Sequence, residues 1–142
     1  LILIDANLLI YAVNRDAPLH KPAKAWLESA ISGSESVALS WNVLLAFLRI
    51  STRVGVFANP LTPAAALDVI DRWLEQPSVT VIEPTSRHAR VLRDLILPLG
   101  TAGNLTSDAH LAALAIEHGA VLCSTDNDFA RFKGLRWRNP LE

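Results

Sequence analysis

The sequence predicts an α/β fold built on a parallel sheet of four to five strands, and three observations predict it. Short β-type runs alternate with helix-type stretches along the chain. The opening run Leu1-Ile2-Leu3-Ile4 is apolar at every position, as in a strand buried on both faces. The stretches between such runs repeat their apolar residues with the helical period.

Leu1–Ile4 is the first strand, Ser36–Ser40 the second, Val79–Glu83 the third and Ala120–Ser124 the fourth. Leu135–Trp137 is a candidate for a short last strand. Ala23, Trp26, Leu27, Ala30 and Ile31 form one helical stripe, which Gly33 can end. Thr62-Pro63 reads as a helix start, with Leu67, Ile70, Trp73 and Leu74 turned inward. Ser86 is placed to cap a further helix, with Ala89, Leu92 and Ile96 on its apolar side. An alanine-rich helix runs from Asp108 to His118 and closes at Gly119. Arg53–Leu61 and Pro98–Ser107 carry enough Gly, Pro and Asn to be exposed loops.

A chain of 142 residues with 51% hydrophobic residues fits one compact domain, 1–142, with a sizeable core. No apolar run approaches the ~20 residues that span a bilayer, so a cytoplasmic protein without membrane partners is expected. The absence of an initial Met leaves room for residues before Leu1. Cys123 is the one cysteine, which excludes an intrachain disulfide and any zinc site built on cysteines; its apolar neighbours place it in the core. The formal net charge of −1 excludes binding to nucleic acid by bulk positive charge. RNA binding then requires local patches, bound cations or a partner. Arg49 and Arg53 follow Asn42 along one helix face, and Arg131, Lys133, Arg136 and Arg138 crowd the C-terminus. Either set is a phosphate contact or a solvated face.

The chemistry rests on aspartates. Asp5 ends the first strand, Asp108 opens a helix, and Asp126 and Asp128 follow the fourth strand. Strands of an open parallel sheet share one carboxyl edge, and ligand sites form there where the strand order reverses. Asp5 and Asp126 are then neighbours in space, with Asp108 joining them if its helix starts at that edge. Gathered carboxylates repel unless protonated or neutralised by a cation, and Mg²⁺ or Mn²⁺ favours oxygen ligands. Such a site suits metal-assisted phosphoryl chemistry. Local roles compete with this reading. Asp108 also suits a helix N-terminus, and Asp126 and Asp128 also suit a turn and a cap. Asp5, directly after a buried strand with Asn7 two residues on, is harder to explain by local structure. His110 and His118 lack the i, i+4 spacing of a zinc helix, His118 suits a helix C-terminus, and His20 and His88 read as surface residues. Neither a G-x-S-x-G elbow nor a phosphate-binding G-x-x-x-x-G-K-[ST] loop occurs.

Taken together, Asp5-Ala6-Asn7, Asp108-Ala109-His110-Leu111-Ala112 and Ser124-Thr125-Asp126-Asn127-Asp128-Phe129 resemble the PIN domain, and within it the VapC-type toxins of type II toxin–antitoxin (VapBC) systems. The resemblance covers nearly the whole chain. It implies a three-layer α/β/α domain, often dimeric, that cleaves RNA with Mg²⁺ or Mn²⁺ and is bound by a cognate VapB-type antitoxin. It also implies that Asp5, Asp108 and Asp126 hold metal, that Asp128 assists in catalysis, and that Asn7 and Thr125 support them through hydrogen bonds. Arg49 and Arg53 are the substrate-binding candidates. One departure stands out. Many PIN nucleases carry a glutamate on the helix after the second strand, where this chain has Ala46, the gap in a polar stripe of Asn42, Arg49 and Arg53. Two other readings follow: a degenerate, non-catalytic PIN module that binds RNA or a protein partner, and a phosphatase with Asp5 as nucleophile. Trp41, Phe57 and Trp137 are candidates for a dimer or antitoxin surface.

Overall fold

Five short strands run parallel in one sheet: β1 (Ile2–Ile4), β2 (Val37–Leu39), β3 (Val79–Val81), β4 (Val121–Cys123) and β5 (Trp137–Arg138). The structure, a computed structural model, describes residues 1–142. The strand order is β3-β2-β1-β4-β5, every neighbouring pair parallel. β1, β2 and most of β4 are fully buried, as their unbroken apolar runs require. The last strand lies slightly later than the sequence predicts. It pairs through Trp137 opposite Leu122 and Arg138 opposite Cys123.

Six helices join the strands: α1 (Ala6–Val13), α2 (His20–Ser32), α3 (Trp41–Ser51), α4 (Pro63–Leu74), α5 (His88–Ile96) and α6 (Thr106–Glu117). Helices α1 to α4 pack among themselves, and α5 packs on α6. Right-handed crossovers account for this division. The chain steps from β1 through β2 to β3 in one direction and then jumps back to β4, so its two sets of crossover helices fall on opposite faces. The result is a three-layer α/β/α arrangement. Phe47 of α3 meets Trp73 of α4 edge to face with ring centroids 4.8 Å apart.

Several local expectations give way to tertiary context. Helix α1 is not announced by the sequence, because Leu8, Leu9, Ile10 and Ala12 are all buried and leave little polar periodicity. In α4, Thr62 caps Ala65 N–H and Ile70 and Trp73 are buried, but Leu67 faces solvent. Ser86 does not cap α5; the Thr85 hydroxyl accepts from Arg87 N–H in that turn. Ala89 is exposed, and α5 buries Leu95 with Val91, Leu92 and Ile96 partly covered. Phe57, expected on the surface, is 2% exposed and plugs the core. Its loop is tied down by Asn14, whose side-chain N–H donates to the Val56 carbonyl at 3.1 Å. The stretch before Asp108 is also partly ordered, with short 3-10 turns at Leu97–Leu99 and Gly103–Leu105, and α6 begins at Thr106. No helix is long and apolar enough to cross a membrane.

Gly119 ends α6 in the left-handed region at φ 65°. Its N–H donates to the Ile116 carbonyl and that of Ala120 to the Ala115 carbonyl, the paired bonds of a Schellman motif. No atom lies within 4 Å of a Cβ placed there, so conformation alone selects glycine. Gly119→Ala should destabilise the chain by about 1 kcal/mol. Urea unfolding checks this, and an unchanged midpoint would count against the motif's contribution.

Candidate metal centre at the carboxyl edge

The strand order reverses between β1 and β4, and the aspartates gather there. Ile4 stands opposite Cys123, and Asp5 N–H donates to the Cys123 carbonyl at 3.0 Å. The two chain segments leaving these strands therefore start side by side. Asp5 is the N-cap of α1, its Oδ1 accepting from Ala6 N–H at 2.7 Å. Its Oδ2 accepts from the Ser124 hydroxyl, also at 2.7 Å.

Ser124 is the hinge of the arrangement and is wholly buried. Besides donating to Asp5, its Oγ accepts from Asn7 Nδ2 at 3.1 Å and from Asp126 N–H at 3.0 Å. One donor and two acceptor positions are all a hydroxyl has, and all are used. Asn7 Oδ1 in turn accepts from Thr125 N–H at 3.5 Å. Thr125 thus enters through its backbone rather than its hydroxyl. Ser124 has no expected role from the sequence. Its one signal was a hydroxyl at the end of a buried strand, which must find partners.

One carboxylate oxygen from each of Asp108, Asp126 and Asp128 lies within 4.8 Å of the other two. Local roles and clustering prove compatible. Asp108 sits in the first turn of α6, and Asp126 caps the short turn Asn127–Arg131 by accepting from Asp128 N–H at 2.9 Å. Asp5 is not one of this trio, but its charge reaches Asp108 and it feels that of Asp126. Burial raises the Asp108 carboxyl to about 6, with the charges of Asp126, Asp5 and Asp128 adding to the effect. Burial also raises Asp5, and the charge of Asp126 adds, while the bonds from Ser124 and Ala6 N–H hold it down. Helix α3 contributes no acid to the cluster, since it carries none, and Ala46 on it is half-buried. The donor set is all carboxylate oxygen. Cys123 is enclosed in the core, so no soft ligand is at hand. Such a set fits a hard divalent cation.

Other predicted groups fall elsewhere. Arg49 is exposed on α3, and Arg53 lies past the helix end, so the two do not share a continuous helical face. Arg131, Lys133, Arg136 and Arg138 are exposed, and Arg136 donates to the Gly119 carbonyl. The two largest clefts, about 500 and 550 Å³, lie among α1, α2 and α4 near the C-terminal end of α1, away from the carboxylates.

His88 is not the surface residue the sequence predicts. Its Nδ1 meets Glu117 Oε2, and its Nε2 lies 2.9 Å from His110 Nδ1. The Glu117 side chain is fully enclosed, and its Oε1 accepts from both the N–H and the hydroxyl of Thr85. Burial pushes the Glu117 carboxyl up, but these bonds outweigh it and leave it below the usual range. Helix α6 is buried almost all round, so any polar residue in it needs a partner.

Comparison with known proteins places this geometry. The PIN-domain family profile matches residues 2–135. The chain belongs to the PIN-domain family. Within that family it is similar to Ribonuclease VapC37 of Mycobacterium tuberculosis, with 48% identity over 97% of this chain and 96% of the relative. Ribonuclease VapC33 of the same species is 42% identical over 99% of each chain. Among solved structures, a VapBC2 complex of Rickettsia felis bound to a DNA fragment of its promoter contains a chain of the same fold. That chain matches with TM-score 0.72 and 18% identity, covering 97% of each chain. The carboxyl edge of this PIN domain is where Asp5, Asp108, Asp126 and Asp128 meet.

Two outcomes follow. Ser124→Ala strips a hydrogen bond from each of Asp5, Asn7 and Asp126 and should destabilise the fold by about 1–3 kcal/mol, read by urea unfolding. The second concerns pH in chelator-treated protein. Folded Asp108 keeps its proton up to about 6, whereas its unfolded reference value is 3.8. Between those values the folded state binds more protons, so this group's effect on stability becomes steadily less favourable as pH rises, and levels off above the folded value. Asp108→Asn should therefore be more stable than the parent at about pH 7.5, with the gap closing by about pH 4. A gap independent of pH would contradict the burial of Asp108 among these carboxylates.

Proposed function

We propose that this PIN domain is the toxin of a toxin–antitoxin pair and acts as a metal-dependent endoribonuclease. The observation that carries the reading is the meeting of Asp108, Asp126 and Asp128 within 4.8 Å at the switch point of the sheet. The ribonuclease names of relatives matching nearly the full chain support it. Mg²⁺ or Mn²⁺ is the proposed cofactor; Asp108, Asp126 and Asp128 would hold it, whereas Asp5, expected as a ligand with Asp108 and Asp126, lies outside that trio with both oxygens hydrogen-bonded. Bound there, the cation supplies an activated water and neutralises charge gathering on the scissile phosphodiester.

The protein's own part is positional. Ser124 fixes Asp5 and the backbone of Asp126 at once, so the carboxylates from the ends of β1 and β4 hold one spacing. Asn7 locks the Thr125 backbone to α1. Both oxygens of Asp5 accept hydrogen bonds, which suits a fixed anion better than an attacking nucleophile and speaks against phosphatase chemistry. Arg49 and Arg53, exposed on α3 and just past its end, are proposed phosphate contacts with RNA away from the carboxylates. The partners are RNA, a VapB-type antitoxin that silences the enzyme, and a second copy of the chain, in a cytoplasmic setting.

Ala46 favours a second reading, a PIN module that binds without cutting. The two separate cleanly. Purified protein incubated with RNA should cleave it with Mg²⁺ or Mn²⁺ and stop in excess chelator. Asp126→Ala should lower the rate by at least about 100-fold, since even residues supporting a metal ligand typically contribute 10- to 100-fold. Expression of the wild type, but not of Asp126→Ala, should arrest growth. Cleavage that survives chelation would end the metal-dependent reading, and equal behaviour of the two proteins would favour the non-cutting module.

A further inference from the structure

Beside the acidic group, over the ends of β2 and β3, lies a small cavity of about 120 Å³. Ser40, Trp41 and Asn42 enter it from the turn after β2, Glu83 from the turn after β3, and His110 from α6. The acidic group sits over β1 and β4, so the two are neighbours on one edge, roughly 10 Å apart at two strand spacings. His110 follows Asp108 by two residues, so α6 serves both places from different sides.

Two polar side chains of this cavity, Asn42 and His110, are held by neighbours and keep hydrogen-bonding atoms free. The Ser40 hydroxyl donates to Asn42 Oδ1, which leaves the Asn42 amide N–H groups without a partner in the protein. His110 Nδ1 is engaged by His88, which Glu117 anchors from the interior, and His110 Nε2 makes no hydrogen bond within the protein. A fully enclosed carboxylate carries a large desolvation penalty, here offset by bonds that hold one imidazole against another. The immediate consequence of that chain of bonds is a fixed His110 ring at the cavity wall. Trp41 adds an indole that is 47% exposed. None of the eight lining residues is Lys or Arg, and Glu83 brings a negative charge, so the cavity repels phosphate.

The geometry points to a nucleobase subsite: Trp41 stacks an unpaired base of the RNA substrate, and Asn42 and His110 hydrogen-bond to its edge. Aromatic stacking with edge hydrogen bonds is the usual way proteins read single-stranded RNA. The amide and the imidazole both suit a base edge, and the absence of a cationic side chain disfavours a phosphate seat. In this account His88 and Glu117 are positioning residues that orient His110. The inference rests on the ribonuclease reading for the identity of its ligand, and it assigns the residues that choose where RNA is cut.

The test uses the full chain and a fluorescein-labelled single-stranded RNA of mixed sequence. Binding is measured in an Asp126→Asn background, which retains the capping oxygen, and cut sites are sequenced in the otherwise wild-type background. Trp41→Ala should weaken binding about ten-fold, within the range a lost base stack gives, while Trp41→Phe keeps most of the affinity. His110→Asn and His88→Gln should alter the base preference beside the cut, a readout that simple loss of stability would not move. Trp41 is about half exposed and outside the buried core, so its variants keep the question open to test even if a histidine variant fails to fold. Unchanged binding and an unchanged cut-site profile in Trp41→Ala would overturn the subsite. So would loss of self-association or antitoxin capture in Trp41→Ala with RNA binding intact, which would make this face a protein contact. Cleavage by the wild type with no dependence on Trp41 sinks the subsite alone. Trp41-dependent RNA binding by a protein that cuts no RNA with any divalent metal sinks the nuclease reading alone.

Discussion

The parallel pairing of β1 with β4 is the constraint on which the site depends. It brings together two segments that are remote in sequence and sets Asp5 N–H against the Cys123 carbonyl, so that both chains leave the sheet at one level. Ser124 converts that backbone register into side-chain register, because one buried hydroxyl reaches Asp5, Asn7 and the backbone of Asp126. Burial, with the charges of Asp126, Asp5 and Asp128 adding to it, raises the Asp108 carboxyl at the distances this imposes. The fold therefore holds an arrangement that is unfavourable until something positive occupies it. Strain of this sort is common where structure serves chemistry rather than stability.

Much of this was legible in the sequence. Leu1–Ile4 and Ala120–Ser124 announce buried strands by unbroken apolar runs, and the carboxyl-edge rule then places Asp5 near Asp126 without any knowledge of contacts. Thr62-Pro63 declares its helix by cap chemistry, and the structure agrees. What stayed hidden depends on burial that periodicity does not register. Helix α1 is apolar on nearly every side and so looks like neither a helix nor a loop. Phe57 lies in a segment with loop composition yet anchors it to the core. His88 pairs with Glu117, distant in sequence, and no local pattern signals such a contact. Leu67 and Ala89 failed for a related reason: periodicity defines a stripe, but packing decides how wide it is.

Ala46 is where this chain departs from the family pattern. The resemblance leads to an acidic residue on α3, and the chain has none there. The structure nonetheless gathers four aspartates from the loops and helix starts at the edge, without help from α3. The polar groups that α3 and the turn before it do present, Ser40 and Asn42, face a different cavity beside the acids. The helix thus contributes to what surrounds the acidic cluster rather than to its charge.

Whether these aspartates trap a divalent cation has a direct answer. Calorimetric titration of Mn²⁺ into chelator-washed protein, repeated in buffers of different ionisation heat, supplies it. Saturable binding with proton release near pH 6, fading at higher pH, is the predicted result, because Asp108 must lose its proton to bind. No saturable heat, or equal affinity in a chain bearing Asp108→Asn, would contradict it.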